Sequence, residues 1–177
     1  MEKKKLTALN AGLILALVLI AVSVIVYVTV ADMKQQQNFG YLSYLLLIGG
    51  LIYVCITFAK QENKNVTFGN VFSFGFKTTA VATCIMVVFT ILSLTILFPE
   101  AKGKAIEAAR EQMEAQGKMS DSQIDQAMEM TDKFFLPFAI GGSLIGYLII
   151  GAIGSLIGAA AAPKNPNPVP FESDNLS

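Results

Sequence analysis

An all-α, polytopic membrane helix bundle is predicted by three observations. Four long apolar runs, Ala11 to Ala31, Tyr41 to Ala59, Thr78 to Phe98 and Pro137 to Ala162, contain no Asp, Glu, Lys, Arg or His. At ~1.5 Å rise per residue, each is long enough for a hydrocarbon core of ~30 Å. Hydrophobic residues make up 54% of the chain and charged residues only 15%, which lies outside the range of soluble domains. Finally, the runs are continuous rather than alternating, and every backbone polar group in lipid needs an internal partner, so helices are favoured over a barrel. The prediction is one domain over residues 1–162 with four transmembrane helices, at about 9–31, 41–59, 78–98 and 137–162.

The first run follows Lys3, Lys4 and Lys5, as in a signal peptide. It exceeds the ~7–15 residues of a signal h-region and has no small-x-small exit, so it reads as an uncleaved span; cleavage would leave three. Tyr27 near its outer end, with Tyr41 and Tyr44 opening the second run, fits an interfacial aromatic belt. Cys55 and Cys84 sit within apolar runs at no metal-binding spacing and are expected to pack as small hydrophobes. Ahead of the third run, Phe68, Phe72 and Phe76 recur four apart, with Asn70, Ser73 and Lys77 on the other face. This predicts an interfacial helix at about 66–77, the other reading being a plain extension of the third span with Lys77 snorkelling.

The connection from Pro99 to Leu136 is the one sizeable polar element. Ile106, Ala109 and Met113 share a helical face, Gly117 is a stop, and Ser120-Asp121-Ser122-Gln123 has the capping-box pattern. Ile124, Met128 and Phe135 then continue an apolar stripe. Together they predict an extramembrane helical hairpin at about 100–133 that stands on the outer face as extensions of spans three and four, with Pro99 and Pro137 at its junctions. Its carboxylates are interspersed with Arg110, Lys118 and Lys133, as on a solvated face. The tail, residues 163–177, is Pro-rich and expected to be disordered.

Lys and Arg balance Asp and Glu at 13 each, so no basic excess recruits nucleic acid. Histidine is absent, which removes the commonest metal ligand and the usual general base. No metal, cofactor or catalytic residue is expected, because no nucleophile–base pair, phosphate loop or carboxylate dyad is placed for chemistry. Basic residues precede the first span, separate the second from the third (Lys60, Lys64, Lys77) and follow the fourth (Lys164). By the positive-inside rule both termini face the cytoplasm of a bacterial inner membrane. The four runs hold no ionisable group, which argues against proton-driven export.

The last span carries the candidate interface. Gly151, Gly154, Ser155 and Gly158 share one face, while Gly142 and Gly146 lie on another, and both sets contain GxxxG. One face is expected to serve neighbours within the bundle and the other a second copy or a membrane partner, with packing inside the bundle as the simpler reading. Tyr147, near mid-membrane, is expected to hydrogen-bond Thr83 or Thr90 of the third span.

The order of elements, with Val66-Thr67-Phe68-Gly69 leading through Phe72 and Gly75-Phe76 into the third span, resembles a bacterial membrane family, domain of unknown function 4199. The insert ending Ser120-Asp121-Ser122-Gln123-Ile124 and the terminal Gly151-Ala152-Ile153-Gly154-Ser155-Leu156-Ile157 are similar to it as well. The resemblance implies four spans and no assigned activity. The expected function is that of a non-enzymatic structural or interaction protein, assembling in the lipid bilayer with itself or with a membrane complex. The alternative is a small transporter or channel for an uncharged solute or lipid.

Overall fold

The computed structural model describes residues 5–30 and 33–165; at positions 33, 34 and 36–38 it describes the backbone alone. These residues form five α-helices and no strand: α1 (Ala8–Thr29), α2 (Met33–Gln61), α3 (Phe68–Leu92), α4 (Glu100–Gln116) and α5 (Asp121–Ala161). Four of them, all except α4, are long and apolar enough to cross a membrane. Their outward side chains include Leu17, Ile25, Tyr53, Ile145 and Ile149, each exposed, a surface that a water-soluble bundle would cover. The chain is a membrane protein.

Local chemistry sets the helix ends. Thr7 and Thr67 both take extended backbone and accept a hydrogen bond from the N–H three residues on, Asn10 and Asn70, each at 3.2 Å. The same T-x-x-N cap therefore starts α1 and α3. α2 ends with Asn63 in the left-handed region (φ 51°), its N–H donating to the Lys60 carbonyl at 3.1 Å and that of Lys64 to Ala59 at 2.8 Å, a Schellman arrangement. α3 loosens into one π-helical turn, Ser93–Leu97, closed by the Phe98 N–H on the Ser93 carbonyl at 2.8 Å. Gly117, at φ 60°, stops α4, and the Ser120 N–H donates to Gln123 Oε1 at 2.9 Å where α5 begins.

Residues 66–77 are not a separate interfacial helix but follow the other reading, an extension of the third span: α3 is unbroken from Phe68, and Val71 and Gly75 are buried in the bundle. The second arm of the expected hairpin is continuous with the last span, since α5 is a single helix of 41 residues that runs through Pro137, so the fold does not set that arm apart as an extramembrane element. Proline lacks an N–H and leaves the Lys133 carbonyl without its usual donor, but one missing bond is tolerated where the neighbouring turns hold. Lys3, Lys4 and the tail from residue 166 onward lie outside the described residues.

α3 packs most extensively against α5, followed by α2 against α5 and α1 against α3. One core cluster gathers Leu15, Leu19, Leu47, Leu51 and Met86; a second, nearer the chain ends, gathers Cys55, Val66, Val71 and Ala159. Between α5 and its neighbours the clearance is minimal. A β-carbon on Gly154 would lie 3.2 Å from Ile48 Cα, and one on Gly158 would lie 3.2 Å from Ile52 Cα and 2.9 Å from Cys55 Sγ. One on Gly151 would overlap the Thr79 side chain, and one on Gly75 would lie 2.9 Å from Ser155 Oγ. The backbones of α2 and α3 approach α5 this closely because the residues between them are small.

Gly158→Leu and Gly151→Val are therefore expected to destabilise the isolated protein by about 1–3 kcal/mol or more through overpacking. Gly142→Leu should be neutral, since nothing lies within 4 Å of its added carbon. Thermal midpoints in detergent, read as the surviving monodisperse fraction on size exclusion after heating, check the contrast.

Candidate functional site

Three segments meet at one end of the bundle. Lys5, ahead of α1, pairs with Glu62 at 3.2 Å, and the Leu6 N–H donates to Gln61 Oε1 at 3.1 Å. The Asn165 N–H donates to the Lys64 carbonyl at 2.9 Å. Lys164 Nζ donates to the Ala159 carbonyl at 2.6 Å and the Ala162 carbonyl at 3.1 Å, and lies 5.9 Å from the Phe68 ring centre. Both described ends of the chain are thus tied to the α2–α3 turn, and the end they form is cationic.

A cleft of about 450 Å³ opens here between the end of α2 and the start of α3. Phe58 and Glu62 line it from α2 and the turn, and Gly69, Asn70, Ser73, Phe74 and Lys77 line it from one stripe of α3. Its floor is the stacked pair Phe58–Phe74, with ring centres 4.1 Å apart and planes 8° from parallel. Lys77 stands in the third turn of α3, about 14 Å along the axis from Phe68 at 1.5 Å per residue. Among the described residues no carboxylate pairs with it. The Thr67 hydroxyl donates to Asn70 Oδ1 at 2.5 Å, which leaves the amide N–H groups available. Glu62, the one carboxylate lining the cleft, is engaged with Lys5. The arrangement is suited to holding a ligand by donated hydrogen bonds over an aromatic floor, not to activating Ser73 as a nucleophile.

The sequence expectation started the third span at Thr78, whereas the helix that carries it begins at Phe68 and includes Lys77, just as α5 extends beyond its charge-free run to Asp121. The missed signal was Thr67-Phe68-Gly69-Asn70, which repeats the cap at Thr7-Ala8-Leu9-Asn10.

The predicted interface residues divide. Gly151, Gly154, Ser155 and Gly158 are buried and come together against α2 and α3. Gly146 faces Tyr44, whose Oη would lie 3.2 Å from an added β-carbon, and Gly142 faces open space. The GxxxG at Gly154 and Gly158 is therefore consumed inside the bundle. Tyr147, Thr83 and Thr90 are not joined by hydrogen bonds. Thr90 donates to the Met86 carbonyl of its own helix at 2.9 Å, Thr83 Oγ1 is buried without a partner, and the Tyr147 ring meets Tyr44 edge-on at 6.0 Å. A threonine hydroxyl on a helix reaches the carbonyl four residues back, so it needs no second helix. Of the two cysteines, Cys55 is buried and Cys84 exposed, so they do not share an environment.

At the opposite end, Tyr27 fastens α4 to α1. Its hydroxyl donates to Glu100 Oε1 at 2.7 Å, its ring lies against Phe98 with centres 4.0 Å apart and planes tilted by 32°, and Lys104 Nζ lies 5.7 Å from its centre. The donated hydrogen bond, helped by backbone donation and Lys104, holds the exposed Glu100 carboxyl below its ordinary pKa. Across the α4–α5 turn, Lys102 pairs with Asp132 at 2.9 Å and Arg110 with Asp125.

A family model described as a protein of unknown function, DUF4199, matches residues 10–164. The chain belongs to the DUF4199 family. No curated protein and no solved structure matches it. The DUF4199 match covers all five helices but for the first two residues of α1, so the capped α3, the Lys77 cleft and the glycine contacts of α5 all fall within it.

Because the Glu100 carboxyl is stabilised in its ionised form, the Tyr27 contact is complete above the ordinary carboxylate range and is lost as pH falls through the lowered value. Tyr27→Phe should move the Glu100 titration upward, toward the ordinary range, as read from the side-chain carboxyl carbon by NMR in detergent. An unchanged midpoint would show that the phenol does not hold the carboxylate.

Proposed function

We propose that this DUF4199 protein is a non-enzymatic inner-membrane protein that acts by assembly, using the α4–α5 hairpin as a contact surface outside the bilayer. The observation that carries this reading is the length of α5. Its 41 residues span about 60 Å, roughly twice a hydrocarbon core. The first half carries Asp121, Asp125, Glu129, Asp132 and Lys133, which are expensive inside lipid. α4, equally charged and with no residue buried, lies against that half. The same reading places the cationic end, with both chain ends, on the cytoplasmic side. Gly154 and Gly158 are taken up inside the bundle, which leaves the hairpin and the open Gly142 face of α5 for contact with a membrane complex or a second copy.

A second reading, passage or binding of a lipid, is favoured by the Lys77 cleft, which opens a polar recess beside an apolar helix face.

Single cysteines at Glu114 and Lys64, in a Cys55→Ala, Cys84→Ala background, test the placement. A membrane-impermeant maleimide added to spheroplasts should label the Glu114 position at once and the Lys64 position only after permeabilisation. The reverse pattern, or protection of both, overturns the topology. A photo-crosslinker at Glu114 should give one discrete adduct in cells; its absence overturns assembly through the hairpin.

A further inference from the structure

We infer that the Lys77 cleft holds the headgroup of an aminophospholipid, a phosphodiester joined to a primary ammonium as in phosphatidylethanolamine. The inference does not depend on where the hairpin stands. It rests on the order of charges along the bundle. Glu62 lies in the turn beyond the end of α2, at the outer rim, whereas Lys77 stands three turns into α3. Because Phe58 and Phe74 lie at one level, Glu62 and the Asn70 amide are outermost, while the Ser73 hydroxyl and, deepest, the Lys77 ammonium lie toward the middle of the bundle. A phosphatidylethanolamine seated with its chains along the bundle has the same order, ammonium outward and phosphate inward.

Each group has a reason to prefer this ligand. An unpaired ammonium on a membrane-spanning helix is costly unless it finds an anion, and lysine can lean its amine toward the interface to meet one. The phosphodiester is the anion that the membrane supplies at that depth, and basic pockets between spanning helices are known to take lipid headgroups. Glu62 uses Oε1 for Lys5, and a carboxylate has acceptor capacity left for a second ammonium. A phosphocholine offers no N–H to that carboxylate, and a phosphoglycerol offers no cation. The Phe58–Phe74 floor accommodates the glycerol and first methylenes, and the cleft volume falls in the ~300–1,000 Å³ range of ligand pockets.

The test is native mass spectrometry of the full-length protein in detergent with an equimolar mixture of phosphatidylethanolamine, phosphatidylglycerol and phosphatidylcholine. The ethanolamine lipid should be retained several-fold over the other two. Lys77→Gln should weaken its retention about tenfold, as expected for loss of one charge-assisted hydrogen bond. Glu62→Gln should abolish the preference for ethanolamine over glycerol. Gly69→Leu provides a variant that fills the cleft without disturbing the fold, since the nearest atom to its added carbon is Thr67 Oγ1 at 3.8 Å; it should lose the lipid with an unchanged thermal midpoint. Equal retention of all three lipids, preference for phosphatidylglycerol, or retention unaffected by both Lys77→Gln and Gly69→Leu each overturns the proposal.

Discussion

In lipid, four apolar helices gain little from turning one apolar face toward another, so this bundle depends on how closely α5 can approach α2 and α3. Gly151, Gly154 and Gly158 on α5, Gly75 on α3, and the short side chains of Cys55 and Ser155 make that approach possible. The gain is dispersion between tightly apposed backbones, lost steeply when a gap of even a fraction of an ångström opens. Hydroxyls buried along this contact add little between helices, since Thr79 and Ser155 donate to Gly75 and Gly151 of their own helices at 3.1 and 2.7 Å. Packing by shape governs the contact, and on α3 the Thr78 and Thr83 hydroxyl oxygens are buried without a partner.

The close contact also determines what sits at the cationic end. Once α5 is seated, Lys164 and Asn165 are delivered to the α2–α3 turn, where Asn165 bonds the Lys64 carbonyl. Lys5 reaches the same turn from α1 through Glu62. The turn itself is short and tightly bonded, so α3 starts immediately beyond it and carries Lys77 up alongside α2. The polar cleft is thus a by-product of where α3 begins, and its chemistry follows from five α3 residues repeating on one stripe.

Much of this was legible from residue order alone. Charge-free runs located the four spans, Gly117 and Ser120 located the α4–α5 turn, and the lysine distribution anticipated a cationic end. Hydropathy left the start of α3 open between two readings, because Asn70, Ser73 and Lys77 interrupt the apolar pattern while the opposite face, Val71 and Gly75, is buried. The cap at Thr67 would have supplied it. The fate of the glycines was also hidden: GxxxG marks a surface of close approach but carries no information on whether the partner helix belongs to the same chain. Likewise, spacing placed Tyr147 near Thr83 and Thr90 but could not reveal that Thr90 finds its acceptor on its own helix while Thr83 Oγ1 is buried without one.

The continuity of α5 makes its charged N-terminal half and its glycine contacts a single mechanical part. A force applied near Asp121 is carried down the helix toward Gly151, where there is no clearance for rotation. The softest point on the way is Pro137, where the Lys133 carbonyl lacks its helical donor. It lies roughly 21 Å above Gly151 at 1.5 Å per residue. Load on the N-terminal arm is therefore expected to bend the helix at that proline before it disturbs the glycine contacts.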